Sequence, residues 1–245
     1  MKIRSVIKCP GNKNIIKNWI LKHFPEDYTN MTYCEPFVGG GSVYLNKLPS
    51  KEEVISDINY EVLCIYKALR DEPTEIIGRL KRVKHSEKTF KRAKSKSIND
   101  YIDLAVNELV LRKMSSHEHK QVFTQEYDWN KFIKELGFAA NRVKHTHILC
   151  ENALKIIQVW DGPNTFMYID PPRIEETTDL ANNAMSVDEH IQLAETINSA
   201  KSFIVISGYP STLFNRLYKD WNCVRYSNKR QKNKDKKIDC LWLNY

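Results

Sequence analysis

The sequence predicts an α/β protein built on a mostly parallel sheet with helices on both faces, carrying a helical insertion and a terminal antiparallel hairpin. Three observations lead there. Short β-branched or aromatic runs alternate with stretches of helical periodicity. The alternation breaks once, from about residue 71 to 145, where strand signals disappear. After the last helix, two strand-like runs flank a block of lysines. A chain of 245 residues with 42% hydrophobic content can bury a full core, which excludes disorder for its body.

A first helix is expected over about 13–23, followed by a strand at TYCEPF (32–37) and a second at EVISDI (53–58). A helix over 60–70 comes next, then the insertion, where Ile98, Ile102, Ala105 and Leu109 repeat at helical spacing. THILC (146–150), TFMYID (165–170) and SFIVISGY (202–209) complete the parallel set, with helices expected at 151–160 and 187–200. Ser186 followed by Glu189 forms a capping box at the start of the last helix. NCVRYSN and KIDCLWLNY then read as a hairpin. The pattern assigns 1–70 and 146–245 to an α/β domain and 71–145 to an insertion placed where recognition would sit.

No apolar run reaches membrane-spanning length, and the apolar part of MKIRSVIKCPGNKN is too short for a signal peptide, so the chain reads as cytoplasmic. Cys9, Cys34, Cys64, Cys150, Cys223 and Cys240 form no C-x-x-C pair and read mostly as buried reduced thiols. The pairs His117/His119 and His145/His147 lack ligands at metal-binding spacing and read as surface histidines. Net charge is +8, concentrated in GRLKRVKHSEKTFKRAKSK (78–96) and NKRQKNKDKK (228–237). Two such runs point to a polyanionic partner.

Three motifs carry chemistry. Glu35-Pro-Phe-Val-Gly-Gly-Gly-Ser42 follows a strand and precedes a helix-like VYLNK, so its glycines permit a tight turn and close ligand approach at a helix N-terminus. It lacks the Gly-Lys-Ser/Thr of a phosphate loop, and Glu35 suits a cationic cofactor better than a pyrophosphate. Ser56-Asp57-Ile-Asn59 closes the second strand about 18 residues after the glycines, where an acid accepts hydrogen bonds from ribose hydroxyls. Asp57 could instead cap the following helix. Tyr168-Ile-Asp-Pro-Pro172 ends the fourth strand, and its prolines make a stiff loop whose carbonyls have no neighbouring N–H to bind.

Together these motifs resemble the Dam-like adenine-specific DNA methyltransferases, close to their phage-borne members. Lys8-Cys-Pro-Gly-Asn-Lys13 is similar to the family's N-terminal cofactor motif, and Leu109–Ser115, Leu149–Ala153, Ser207-Gly-Tyr209 and Leu241–Asn244 fall in family order. The resemblance runs nearly end to end and implies a Rossmann-like S-adenosylmethionine methyltransferase sheet. It implies contacts to S-adenosylmethionine from Cys9, Lys13, Phe37, Gly39, Gly41, Asp57 and Asp170, and from Asn152 to its adenine edge. It also makes 71–145 the target-recognition region, although no base-reading hairpin is evident there.

The implied reaction transfers a methyl group to the exocyclic amino group of an adenine flipped out of double-stranded DNA. Asp170, Pro171, Pro172 and Arg173 would form its catalytic loop, and Lys232, Lys234, Lys236 and Lys237 would hold DNA phosphates. No metal and no obligatory protein partner is called for. The departure is Arg173, which stands where the family carries Tyr or Phe. Its guanidinium can stack on a base, yet it brings positive charge beside a cationic cofactor. A less active enzyme, an altered substrate, or a relative that binds cofactor and DNA without efficient methylation would each fit. Methylation of RNA or of a protein amide is a further alternative; Asp170, where amide enzymes carry Asn, and the basic runs favour nucleic acid.

Overall fold

The structure, a computed structural model, describes residues 6–7, 11–95, 98, 100–116, 122–124, 127–174, 184–226 and 238–245. Cys9, His117, His119, Lys232, Lys234, Lys236 and Lys237 lie outside the described residues. The elements are α1 (Lys17–Leu21), β1 (Thr32–Glu35), β2 (Glu52–Ser56), α2 (Tyr60–Asp71), α3 (Pro73–Arg82) and α4 (Glu87–Ser95). They continue with α5 (Tyr101–Lys113), α6 (Trp129–Val143), β3 (His147–Leu149), α7 (Ala153–Trp160) and β4 (Thr165–Ile169). The chain closes with α8 (Val187–Asn198), β5 (Phe203–Gly208), α9 (Thr212–Leu217), β6 (Asn222–Arg225) and β7 (Cys240–Leu243). The chain divides into two compact units: Met1–Lys17, Val38–Lys47 and Asp57–Cys150 form the first, and Asn18–Phe37, Leu48–Ser56 and Glu151–Tyr245 the second.

In the second unit the strands follow the order β2-β1-β4-β5-β7-β6. β2, β1, β4 and β5 run parallel, and β7 is antiparallel to both β5 and β6, as a terminal hairpin requires. The α/β class and the parallel core stand as the sequence predicts. From β1 the chain reaches β2 on one side and later β4 on the other, so β1 and β4 flank a topological switch point, the place where open parallel sheets bind ligands. All five residues of β4 are buried, and Phe24 packs edge-on against Phe166 with centroids 4.4 Å apart. Ser186 and Glu189 form the predicted capping box on α8.

The first unit is mostly helical. α2 buries seven residues, and α5 buries Ile102, Ala105 and Leu109 along the predicted seam. Ile98 falls outside that helix, because Asp100 accepts the N–H of Asp103 and starts α5 after it. Arg79 on α3 pairs with Glu75, Asp100 and Asp103, tying α3 to the start of α5. The indole of Trp129 donates to the Leu80 carbonyl at 3.2 Å and locks α6 onto α3. Between α5 and α6, Ser115 and Phe123 form an antiparallel bridge that the sequence did not reveal. Among the described residues, no helix is long and apolar enough to cross a membrane.

Two local expectations fail. VYLNK forms consecutive turns rather than a helix, so no helix dipole stands behind the glycine loop. Leu48-Pro49 ends the segment, and Tyr44 is fully buried with its hydroxyl bonded to Thr146, so tertiary contacts set its shape. The first helix begins only at Lys17, because Gly11 takes φ +75° and the Asn12 side chain accepts the Asn14 N–H at 2.9 Å, an Asx turn that competes with helix.

Candidate active site

In the first unit the glycine loop is built from its neighbours inward. Gly39 and Gly41 take φ +44° and +64°, a region that side chains with a Cβ rarely enter. The Gly39 N–H donates to Asp57 Oδ2 at 2.9 Å, and the Asn59 N–H donates to Asp57 Oδ1 at 3.0 Å. Tyr66 on α2 donates its hydroxyl to the Gly39 carbonyl at 2.9 Å. Ser42 donates to the Asn12 side chain at 2.5 Å, which joins the glycine loop to the segment carrying Lys13, whose ammonium donates to Gly11 O at 3.2 Å.

Asp57 is not the cap of α2; Asn59 fills that place and accepts the Val62 N–H. Each Asp57 oxygen therefore binds one backbone N–H and retains lone-pair capacity for a hydroxyl. Burial raises its pKa above the ordinary value, an effect opposed by the Asn59 and Gly39 N–H groups and by the charge of Arg112. Arg112 is itself buried against Glu108 at 2.9 Å.

In the second unit the Asp170 loop leaves β4 beside the end of β5. The register pairs Ile169 with Ile206, so Asp170 and Ser207 stand side by side, and the Ser207 hydroxyl donates to Asp170 Oδ1 at 2.6 Å. Tyr168 donates to Ser207 Oγ at 3.0 Å, and burial, then the charge of Asp170, pushes the Tyr168 phenol well above its usual pKa. Arg173 lies with its guanidinium 4.5 Å from the Tyr209 ring centroid and donates from Nη2 to the Tyr209 hydroxyl at 2.5 Å. Next door, a Cβ on Gly208 would come within 2.7 Å of the Phe214 ring, which explains the glycine between Ser207 and Tyr209.

The sequence-derived residues thus fall into two sets. Lys13, Gly39, Gly41 and Asp57 lie in the first unit; Phe37, Asn152 and Asp170–Arg173 lie in the second. Asn152 caps α7 by accepting the Leu154 N–H at 2.9 Å, which leaves its side-chain NH₂ as the group with donors to offer. Sequence reasoning gave no role to Tyr66, Ser207 or Tyr209. Ser207 and Tyr209 were visible only as a motif, and nothing in the helix around Tyr66 marks it.

Electrostatically, α3, α4 and the turn joining them expose Lys81, Arg82, Lys84, Lys88, Lys91, Arg92 and Lys94. Glu87, which pairs with Lys91 at 2.8 Å, offsets one of them.

The family profile described as D12 class N6 adenine-specific DNA methyltransferase matches residues 10–234. The type II methyltransferase M.CviBI of Paramecium bursaria Chlorella virus NC1A is 24% identical over 242 residues, covering 93% of this chain and 91% of that protein. The type II methyltransferase M1.LlaDCHI of Lactococcus lactis subsp. cremoris is 25% identical over 100% of this chain and 96% of its own length. A DNA adenine methylase of Vibrio cholerae is 24% identical over 89% and 86%, respectively. A profile match over this span decides the family: the chain belongs to the D12 class N6 adenine-specific DNA methyltransferases, enzymes that methylate adenine in DNA.

Proposed function

We propose that this methyltransferase takes its methyl group from S-adenosylmethionine and delivers it to an adenine turned out of double-stranded DNA. The reading rests above all on Asp170, held by Ser207 at the end of β4 and followed by two prolines that supply carbonyls without N–H groups. The fit to the cofactor rests on Asp57, whose half-buried carboxylate keeps free acceptor sites beside a glycine loop. A Cβ at Gly39 would meet nothing within 4 Å, so the backbone there borders open space. S-adenosylmethionine supplies a methyl group activated by a sulfonium centre.

The chain's own residues do the rest. Asp57 binds ribose hydroxyls; Cys9, Lys13, Phe37, Gly39 and Gly41 line the cofactor, and the Asn152 NH₂ donates to its adenine edge. The adenine amino group is a poor nucleophile, because its lone pair is delocalised into the ring. The Asp170 carboxylate and the Pro171 carbonyl accept its two N–H bonds and localise that pair towards the methyl group. Residues 71–145 serve target recognition, and the protein works in the cytoplasm. Methyl transfer from labelled S-adenosylmethionine to unmethylated DNA, followed by sequencing for modified adenine, tests the reading; labelled RNA in place of DNA would overturn it.

Arg173 limits the rate. Replacing it with tyrosine is expected to raise single-turnover methylation about ten- to a hundredfold, since base–aromatic stacking is worth about 1–3 kcal/mol and acts on the flipped state. Cofactor affinity should hardly change. Arg173 covers the Tyr209 ring, so its removal also uncovers that face. A robust wild-type rate that falls in Arg173→Tyr would show the arginine to be an adapted part of the site.

DNA backbone contacts are assigned to the basic runs. Replacing Lys232, Lys234, Lys236 and Lys237 with glutamine should weaken binding to every DNA sequence. Each lost phosphate contact should also reduce the log–log salt slope by about 0.9. An unchanged slope would return this run to solvent and leave the exposed α3–α4 cations as the phosphate-binding surface.

A further inference from the structure

The loop that carries Asp170 is pinned on both sides of Pro171. On one side Ser207 holds the Asp170 carboxylate at 2.6 Å. On the other, His190 Nε2 lies 3.0 Å from the Pro172 carbonyl oxygen, and the next carbonyl, that of Arg173, accepts the Met185 N–H at 3.4 Å. Among the described residues no donor reaches the Pro171 carbonyl, whereas the next two carbonyls each already accept one, so of the three after Asp170 it offers the most acceptor capacity to a substrate N–H.

We propose that His190 is a positioning residue of the methyl-transfer site, whose neutral imidazole donates Nε2–H to Pro172 and thereby aims the Pro171 carbonyl at the adenine amino group. The inference rests on the roles proposed above for Asp170 and Pro171.

The tautomer follows from the surroundings. A carbonyl can only accept, so Nε2 carries the proton. Among the described residues Nδ1 is buried with no partner, and a proton there would be an unsatisfied donor. The side chain is 1% exposed, and burial holds its pKa below the usual histidine value, against the opposing pull of the Pro172 carbonyl. The ring is also fixed in place. The Ser186–Glu189 capping box sets the first turn of α8, and the His190 N–H donates to Ser186 O at 3.1 Å. Phe214 packs on the imidazole with centroids 5.4 Å apart and on Gly208, next to the serine that holds Asp170. Pro171 and Pro172 need this outside support, since proline has no N–H with which to brace its own loop.

The test compares wild type, His190→Leu and His190→Gln in the full-length protein, because a glutamine amide can place an N–H near the position of Nε2. His190→Leu should lower single-turnover methyl transfer about five- to twentyfold. KM for S-adenosylmethionine should stay within about twofold, as expected when only the transition state loses an interaction. His190→Gln should return to within about threefold of wild type. A fully active leucine variant, or a glutamine variant as slow as leucine at equal melting temperature, would overturn the inference. Imidazole ¹⁵N spectra give a readout independent of catalysis: wild-type His190 should be a neutral Nε2–H tautomer with a slowly exchanging proton. If wild type transferred no methyl group, the enzymatic reading would fall, and these spectra would still judge the hydrogen bond. A charged or freely exchanging ring would overturn it.

Discussion

Replacing Asp170 with alanine is expected to lower methyl transfer about a hundred- to a thousandfold, the usual loss when one preorganised charge-stabilising group is removed from a reaction centre. The effect is large because the carboxylate accepts from the amino group in the state where its lone pair is localised. The fold should survive. Ser207 would lose its acceptor at 2.6 Å but keep the Ile169 carbonyl at 3.5 Å and the hydroxyl of Tyr168. Net, a lost hydrogen bond of this kind costs about 1 kcal/mol of stability, visible as a small fall in melting temperature. Asp170→Asn keeps a carbonyl acceptor and should retain more activity than the alanine variant. Single-turnover assays at saturating cofactor check both; an alanine variant at the wild-type rate would remove Asp170 from the mechanism.

The second large effect concerns Asp57→Ala, which should weaken S-adenosylmethionine binding about ten- to a hundredfold, or roughly 1.5–3 kcal/mol for lost charge-assisted hydrogen bonds. Asp57 also holds the Gly39 and Asn59 N–H groups, so Asp57→Asn, which keeps one acceptor oxygen, separates loop support from ribose binding. Calorimetry on the folded variants measures both, and equal binding by Asp57→Ala would sink the cofactor assignment. The carboxyl also predicts a pH dependence. Its pKa is raised by burial, so cofactor affinity should fall on acidification at a pH above that of an ordinary aspartate. Stability moves the other way. In the window between the ordinary and the raised value the folded state binds the extra proton, so this group's contribution to stability declines as pH rises through the window.

The sheet was legible because its strands are short runs rich in β-branched and aromatic residues, too short for buried helices. The β4 run TFMYI and the capped start of α8 needed no tertiary information. The site was legible in part. Asp57 and Asp170 announce themselves by their place at strand ends, but the groups that hold them come from far along the chain. Ser207 is 37 residues from Asp170, and His190 is 18 from Pro172. No local pattern couples such positions. VYLNK shows the opposite failure: its composition allows a helix, yet Tyr44 is fully buried and bonds Thr146 at 2.5 Å, so tertiary contacts decide its shape. The bridge between Ser115 and Phe123 was hidden for the same reason, since one residue pair carries no periodicity.

Tyr66 has a consequence for how this sequence can vary. A Cβ on residue 41 would lie 2.5 Å from the Tyr66 hydroxyl, closer than the two atoms can approach. The phenol and the missing side chain therefore occupy the same volume by turns. A descendant could gain a side chain at 41 only if the Tyr66 hydroxyl moved away or was lost, and with it the hydrogen bond to Gly39 O. Even then φ +64° would disfavour the newcomer. Positions 41 and 66, 25 residues apart, are therefore coupled for mutation: a change at 41 waits on one at 66.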